Sequence, residues 1–394
     1  MRLHNTKNLP AIRFKNHTTH WKNNTLGHVF NFQYGNFNNN PSNRGPYPVF
    51  GANGIIGGYT EYNAEDSVVI GHMGEYAGSI NWGGGKHFVT YNGTITTPKG
   101  TTVDSTFGFH LLDQLNIRKI CGGSGQPFLS YDALERIATS YPGSPSEQKQ
   151  IGSYFKSLDR MIGLHQRKHD KLLTLKQAML QKMFPQDGAT TPEIRFKGFK
   201  GEWKEELLGD LMPVGSVKRI HQSDWEKSGI RFLRARDVVS AFKNEDPADL
   251  LYISHEKYEE YSRQSGKVGS GDLLVTGVGT IGVPFLISND DPIYFKDGNI
   301  IWFKNGGAIN GTFFFYAFSS GRIQTYISES AGIGTVGTYT IDSGKKTPFI
   351  FPDSDEQKKI GTYFQNLDKL ISKHATQLEK LKNIKSACLQ KMFV

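Results

Sequence analysis

The most constraining feature of this sequence is a long segment that occurs twice. Residues 147–184 read EQKQIGSYFKSLDRMIGLHQRKHDKLLTLKQAMLQKMF and residues 356–393 read EQKKIGTYFQNLDKLISKHATQLEKLKNIKSACLQKMF, with 20 of 38 aligned positions identical and no gap. A shorter repeat precedes each copy, because residues 10–27 resemble residues 192–209 at an offset of 182. The stretches between these repeated segments do not visibly match. The segments follow the order variable module, shared helix, variable module, shared helix. This order predicts two recognition modules on one rigid spacer.

The length and charge of the chain favour two domains and a polyanionic partner. A chain of 394 residues is long enough for two or three domains with separate cores, and the repeat favours two. Lys and Arg number 46 against 37 for Asp and Glu, which leaves a net charge of +9. This modest excess favours a partner such as nucleic acid.

Cysteine content and hydropathy predict a soluble protein of the cytoplasm. Cys121 and Cys388 show no pairing pattern, which indicates a reducing compartment. The first ten residues contain no apolar segment of the kind that directs secretion. The most apolar stretch, residues 273–287, is short and interrupted by Gly and Pro, so it cannot span a bilayer as a helix.

The repeated segments predict two long helices that pair with each other. Ser144 and Asp353 each stand three residues before a Glu, Glu147 and Glu356, which is the pattern of a capping box. Apolar residues then recur in a heptad pattern over about five heptads. Each helix would be ~55 Å long at ~1.5 Å per residue. Because the intervening module must return the chain, we expect an antiparallel coiled coil. The predicted seam comprises Ile151, Leu158, Ile162, His165, Leu172, Ile360, Leu367, Ile371, His374 and Leu381.

His165 and His374 occupy the same position of the predicted seam. A polar residue inside a coiled coil can fix its register, as a buried Asn does. The alternative is a metal-binding pair, which is less favoured because no Cys, Asp or Glu lies nearby at ligand spacing. We predict the register role and no metal site.

The variable modules predict an α+β fold, with mixed α/β content in each module. Short runs of β-forming residues alternate with Gly and Asn, as in short twisted strands joined by tight turns. A helix is expected near residues 310–319. The second module is also longer than the first, so the two are expected to bind different targets. The predicted strands are residues 67–70, 87–91 and 93–97 in the first module and 230–233, 272–276, 283–287 and 299–303 in the second.

Catalytic motifs are missing from the sequence. Residues 277–282 and 332–337 match Gly-x-Gly-x-x-Gly, but β-forming residues rather than a helix follow each, so we expect turns and not phosphate-binding loops. The Asn-Pro-Pro-aromatic loop of amino-methyltransferases is absent, as are His-Glu-x-x-His, Cys-x-x-Cys and Gly-x-Ser-x-Gly. The sequence therefore predicts no catalytic residues of its own.

Basic and amide side chains form the candidate DNA-binding set. Arg231, Arg234 and Arg236 alternate in a β-type stretch, which predicts that they share one face. Arg and Lys can bind phosphates or guanine edges, and Asn can bind adenine. The alternative for each residue is a solvated charged surface. The complete set is Asn43, Arg44, Lys86, His87, Tyr91, Asn92, Lys218, Arg219, Arg231, Arg234, Arg236, Lys267, Lys345 and Lys346.

Several motifs resemble the specificity subunit of type I DNA restriction–modification enzymes. Both long repeats end in Leu-Gln-Lys-Met-Phe, and both opening blocks contain Pro-x-Ile-Arg-Phe-Lys and Trp-Lys. Residues 47–57, YPVFGANGIIG, are similar to a recurring motif of the target recognition domains of that family. Arg234-Ala-Arg-Asp-Val followed by Gly271-Asp-Leu-Leu-Val resembles another. The likeness covers nearly the whole chain.

The resemblance implies a non-catalytic subunit that binds double-stranded DNA. Residues 1–143 and 187–352 would be target recognition domains, each for half of a bipartite site, and residues 144–186 and 353–394 would be spacer helices. The helices would dock two modification subunits that carry S-adenosylmethionine, and restriction subunits that use ATP and Mg would join through these. This chain would hold no cofactor itself. Two alternatives are a self-sufficient DNA-modifying enzyme and a tandem adaptor that binds only proteins.

Overall fold

The structure is a computed structural model that describes residues 9–37, 44–122, 127–186, 188–247, 249–331 and 337–394. The chain divides into two compact units. Unit 1 comprises Met1–Arg167 with Ala375–Val394, and unit 2 comprises Lys168–His374. Each unit therefore combines one variable module with a part of each repeated segment.

Unit 1 is built on a six-stranded, mostly antiparallel sheet. Strands β1–β8 are Lys22–Thr25, Phe30–Tyr34, Tyr47–Gly51, Gly54–Tyr59, Ala64–Gly71, Ile80–Val89, Gly93–Pro98 and Ala138–Tyr141. The strand order in the sheet is β2-β7-β5-β6-β3-β4, and a separate pair joins β1 to β8. The helices are α1 (Leu26–Val29), α2 (Ser105–Gln114), α3 (Tyr131–Glu135), a 3-10 turn (Ile117–Ile120) and the long helix α4 (Pro145–Lys182), whose first part belongs here.

The central strand of the unit 1 sheet is apolar because its side chains are buried. β5 pairs with β6 on one side and β7 on the other, so Val68, Val69 and Ile70 are buried. α2 begins where the Asp104 side chain accepts hydrogen bonds from the backbone N–H groups of Thr106 and Phe107 at 3.0 Å each. This cap fixes the helix that carries Phe107 into the core.

The described residues of unit 2 form three small sheets. Strands β9–β17 are Lys204–Leu207, Val214–Gly215, Ile230–Leu233, Leu251–Ile253, Leu273–Thr276, Pro284–Leu286, Ile293–Phe295, Ile300–Phe303 and Pro348–Phe351. A four-stranded sheet has the order β10-β16-β13-β14, a three-stranded sheet has the order β12-β11-β15, and β17 pairs with β9. The helices α5–α10 are Leu208–Leu211, Ala235–Phe242, His255–Ser265, Gly311–Phe318, Gly321–Ser330 and Ile341–Lys345, with a 3-10 turn at Gln222–Asp224, and the long helix α11 is Ser354–Met392.

The predicted α+β fold with mixed modules and two long helices is confirmed. The predicted β-runs of both modules lie in β5, β6, β7, β11, β13, β14 and β16, and the helix predicted near residues 310–319 is α8. Residues 277–282 connect the antiparallel strands β13 and β14, with Gly279 and Gly282 at positive φ, so this glycine motif is a turn as expected. Of the second glycine motif, residues 332–336 lie outside the described residues.

The long helices run antiparallel to each other inside each unit. In unit 1 the Tyr154 hydroxyl lies 3.4 Å from Cys388 Sγ, and Lys385 Nζ lies 2.9 Å from Asp159 Oδ1. In unit 2 Lys176 Nζ lies 2.6 Å from Asp368 Oδ1. The predicted seam residues are buried or half-buried: Ile151, Leu158, Ile162, His165, Leu172, Ile360, Leu367, Ile371, His374 and Leu381.

The two units have matching aromatic cores, in which the two repeated segments exchange their roles. In unit 1 Phe393, from the second repeat, packs against Trp21, Phe107 and Phe155 with ring centroids 5.6–6.2 Å apart. In unit 2 the matching residue of the first repeat, Phe184, packs against Trp203, Phe313 and Phe364 at 5.6–6.2 Å. Each unit therefore uses the start of one repeated segment and the end of the other.

Candidate nucleic-acid interface

A buried ion pair attaches each opening block to the first turn of a long helix. Arg13 donates from Nε and Nη2 to the two carboxylate oxygens of Glu147 at 2.6 and 2.7 Å. Arg195 donates to Glu356 in the same way at 2.7 and 2.6 Å. The hydrogen bond to each Glu raises the pKa of its arginine, and both carboxylates are fully buried. The opening blocks thus anchor the modules to the helices.

This pairing corrects the role that the capping-box pattern suggested for the two glutamates. The caps themselves exist, since the backbone N–H of Glu356 donates to Asp353 Oδ1 at 2.9 Å and that of Glu147 donates to Ser144 Oγ at 3.4 Å. The glutamate side chains bind the arginines instead of returning to the cap backbone. A bidentate charged pair is stronger than the single bond to a cap N–H.

Three arginines of unit 2 converge on two aspartates at the start of α6. Arg234 donates from Nε and Nη2 to the buried Asp237 at 2.9 and 3.0 Å, and from Nη1 to Asp249 Oδ2 at 3.0 Å. Arg236 donates from Nη2 to both oxygens of Asp249 at 2.6 Å. Arg231 approaches Asp237 at 3.9 Å and donates to the Leu251 carbonyl at 3.0 Å. The predicted grouping of these arginines is therefore observed.

The reason predicted for that grouping is wrong. The extended stretch ends at Leu233, Arg234 is the N-cap residue of α6, and Arg236 lies in the first turn of that helix. The backbone N–H of Arg234 donates to Asp237 Oδ2 at 2.8 Å, which starts the helix where strand alternation was expected to continue. The arginines meet because they share carboxylates and not because they share a strand face.

Helix α7 carries a second basic surface, which combines lysines with tyrosine rings. Lys218 Nζ lies 4.1 Å and Lys257 Nζ 4.9 Å from the centre of the Tyr261 ring. Lys267 Nζ lies 5.5 Å from the Tyr258 ring and 2.8 Å from Glu259 Oε1. Lys218 and Lys267 were predicted from the sequence as candidates, whereas Lys257 and Tyr261 were not. Their spacing at i and i+4 on one helix was the available signal.

The remaining candidates of unit 2 lie at its exposed surface. Arg219 donates to Asp297 Oδ2 at 2.8 Å, and Lys346 Nζ lies 2.8 Å from Asp342 Oδ2. Lys345 is the last residue of α10 and is exposed. These residues are not part of the arginine group at α6.

The candidates of unit 1 lie mostly in exposed turns. Arg44 is exposed at positive φ, and Tyr91 and Asn92 occupy the exposed turn between β6 and β7. Lys86 Nζ stands 4.5 Å above the Tyr62 ring, whose hydroxyl raises the pKa of this lysine. Asn43 lies outside the described residues.

His87 does not belong to this exposed group. The side chain is buried, its Nε2 lies 2.9 Å from Ser67 Oγ, and its Nδ1 lies 2.8 Å from the Gly85 carbonyl. Burial lowers its pKa, which favours the neutral ring. That His87 contacts DNA stays a prediction, since the structure shows only that its ring is buried where β6 pairs with strands on both sides.

An aromatic cluster beside the exposed turn of unit 1 was not predicted. The buried His72 ring lies 3.9 Å from the Tyr34 ring, 4.7 Å from Phe128 and 5.6 Å from Tyr91, measured between centroids. Tyr91 and Phe128 are exposed on the outside of this cluster. Exposed rings next to amide and basic groups are suitable for stacking on nucleobases. Only tertiary structure brings these residues together, since they come from four separate segments.

Among the residues that the structure describes, no group of three or more His, Cys, Asp or Glu side chains is arranged to hold a metal ion. Across the same residues, every helix is too short or too polar to cross a lipid bilayer.

Comparison with known proteins identifies the family. The family model for the type I restriction modification DNA specificity domain matches residues 19–174 and again residues 200–383. The chain therefore belongs to the type I restriction–modification specificity family. Its two matched regions contain the two modules described above, each with the greater part of a long helix.

Two relatives and one solved structure resemble most of the chain. A Haemophilus influenzae protein that carries the name of a type I restriction enzyme specificity subunit is 26% identical over 337 residues, covering 83% of this chain and 82% of that one. The specificity subunit of the type I enzyme MjaIX of Methanocaldococcus jannaschii is 23% identical, covering 70% and 64%. The crystal structure of the S subunit of a type I system from M. genitalium shares the fold, with a TM-score of 0.71, 15% identity and coverage of 98% and 99%.

Proposed function

We propose that this chain is the non-catalytic DNA sequence-specificity subunit of a type I restriction–modification enzyme. Each recognition module binds one half of a bipartite DNA site. The observation that carries the proposal is the duplicated anchor, in which Arg13–Glu147 and Arg195–Glu356 attach two dissimilar modules to two matching helices. Two different surfaces held by one repeated attachment are suited to two different half-sites.

The long helices set the distance between the half-sites and dock two modification subunits. Their outer faces support this role, because Met161, Leu164, Leu173 and Leu370 are exposed apolar residues on otherwise charged helices. The modification subunits carry S-adenosylmethionine and the methyl transfer, and the restriction subunits, joined through them, use ATP and Mg. This chain contributes recognition and holds no cofactor. We place the assembly in the cytoplasm.

DNA-contacting groups are proposed at the exposed turns and the arginine group. In the first module these are Arg44, Lys86, Tyr91 and Asn92, with Asn43 among the undescribed residues. Arginine can donate two hydrogen bonds to guanine and asparagine can pair with adenine, so these side chain types can distinguish bases. The second module contributes Lys218, Arg219, Arg231, Arg234, Arg236, Lys267, Lys345 and Lys346.

Methylome sequencing of a host that expresses this chain with its modification subunit tests the proposal. We expect methylation at a single bipartite motif that disappears when this chain is deleted. Methyl transfer by the isolated chain would indicate a self-sufficient enzyme instead. A methylome unchanged by the deletion, together with no DNA binding at low salt, would favour an adaptor that binds only proteins.

A further inference from the structure

Arg234 and Arg236 form a site for one anion, and the Asp249 carboxylate occupies it. Both of its oxygens accept from Arg236 Nη2 at 2.6 Å, and Oδ2 also accepts from Arg234 Nη1 at 3.0 Å. The Arg234 Nη2 group additionally donates to the Asp249 carbonyl at 2.6 Å. Two guanidinium groups directed at one pair of oxygens is also the arrangement by which arginines bind a phosphate.

The two aspartates of this cluster differ in burial and therefore in role. Asp237 is 1% exposed and holds Arg234 through its Nε, Nη2 and backbone N–H, which orients that side chain without help from Asp249. Asp249 is 56% exposed and Arg236 is 60% exposed. Ion pairs this exposed contribute little to stability, so the fold does not depend on Asp249.

We propose that Arg234 and Arg236 form a binding site for a phosphate of the DNA backbone, and that the Asp249 carboxylate holds its place until DNA displaces it. This inference rests on the proposed function of the chain as a DNA-binding subunit. Because more than half of the Asp249 side chain is exposed, rotation about its own bonds is sufficient to return the carboxylate to water. Asp237 continues to orient Arg234 after that exchange.

The exchange has a consequence for the salt dependence of binding. When Arg236 moves from Asp249 to a phosphate, the phosphate releases its condensed cation but the freed carboxylate attracts one. Removing the carboxylate abolishes that uptake. The slope of log affinity against log salt should then steepen by up to ~0.9, the contribution of one phosphate contact. Affinity should rise equally for all sequences, since a phosphate contact carries no base information.

The test uses the full chain assembled with its modification subunit and fluorescent duplex DNA, in wild type and in Asp249→Asn. We expect Asp249→Asn to bind random-sequence DNA roughly 2–5-fold more tightly, the worth of an exposed pair, with the steeper salt slope. Asp246→Asn is the matched control, because it lies in the same exposed stretch, changes the net charge equally, and has no ion pair among the described residues. Arg236→Gln in the Asp249→Asn background should restore the shallower slope.

Three outcomes separate the hypotheses. Equal gains from Asp249→Asn and Asp246→Asn would overturn the phosphate site, because general charge would then explain the effect. A lower urea midpoint with unchanged affinity, for both Asp249→Asn and Asp249→Ser, would also overturn it and assign Asp249 a structural role. Failure of the wild-type complex to bind any DNA at low salt would refute the proposed function itself, which is a different result from either of these.

Discussion

Single residues in this chain gain their roles from partners that are distant in sequence. Glu147 and Glu356 bind arginines 134 and 161 residues away, and their carboxylates are fully buried. A buried ion pair contributes little net stability by itself, but removal of one partner leaves the other charge buried without compensation. The importance of each ion pair for stability is therefore measured by substituting one of its two residues.

Glu356→Gln should destabilise unit 2 by about 3 kcal/mol, because Arg195 would keep its buried charge and lose the carboxylate that compensates it. Urea unfolding followed by circular dichroism measures this change. Asp342→Asn, which breaks the exposed pair with Lys346, is the control and should cost less than about 1 kcal/mol. Equal effects of the two substitutions would contradict the structural role of the buried pair.

His110 and Tyr316 occupy matching places three residues after Phe107 and Phe313. The Tyr316 hydroxyl donates to Asp368 at 2.7 Å, whereas His110 Nε2 lies 3.8 Å from Asp159, the matching carboxylate. Burial, with a smaller contribution from the nearby Lys385 charge, lowers the pKa of His110 to about 3. The unfolded chain binds this proton near pH ~6.5, so its contribution to stability is lost as pH falls from there toward 3.

His110→Tyr should remove this acid sensitivity of unit 1. The tyrosine copies the arrangement of unit 2, and a cleft of about 290 Å³ beside His110, lined by Trp82 and Phe109, leaves room for the larger ring. Urea unfolding between about pH 7 and 4 should show a flatter dependence of stability on pH in His110→Tyr than in the wild type. An unaltered slope in His110→Tyr would contradict the assignment.

At the scale of elements, the repeat predicted more than composition did. The heptad spacing and the gapless match identified both long helices, because an amphipathic stripe of this length is compatible only with a helix. The β-runs were placed correctly because short apolar segments between Gly and Asn permit few other structures. The start of α6 was missed, since it depends on Asp237 accepting from the Arg234 backbone N–H. The burial of His87 was missed because it depends on strand pairing.

The exchanged phenylalanines predict how one half of the chain behaves alone. Residues 1–186 retain Trp21, Phe107 and Phe155 but lack Phe393, while their own Phe184 lacks its partners from unit 2. Because the two sites repeat each other, Phe184 of one fragment should fill the Phe393 site of a second. The result is a closed dimer with twofold symmetry, which sedimentation should detect at tens of micromolar.

Phe184→Ala should weaken that fragment dimer by ~10⁴-fold or more, since truncation of a buried Phe costs about 3–5 kcal/mol at each of the two sites. Leu164→Ala, at an exposed position of the same helix, is the control and should leave dimerisation unchanged. A folded fragment that remains monomeric at the same concentration would show that the two sites are not interchangeable.

At the scale of the whole molecule, two modules with separate cores should be separable in function. Arg219→Ala should relax recognition in one half-site only, and substitutions at Tyr91 and Asn92 should relax recognition in the other, at about 1–3 kcal/mol for each lost base contact. Methylation sequencing of each variant measures the change. Relaxation of both half-sites by Arg219→Ala would contradict the assignment of one module to each half-site.

Unit 1 is formed from two segments that lie far apart in the chain, and this affects the order in which it can fold during synthesis. Unit 2 is continuous, whereas unit 1 requires residues 375–394 to cover Trp21, Phe107 and Phe155. At ~5–20 residues per second, the ribosome needs roughly 10–40 s after completing residue 167 to deliver that segment. During this interval an aromatic site stays uncovered on a nascent chain. We therefore expect the core of unit 1 to close only after the last helical turns of α11 are made, which gives unit 2 time to fold first.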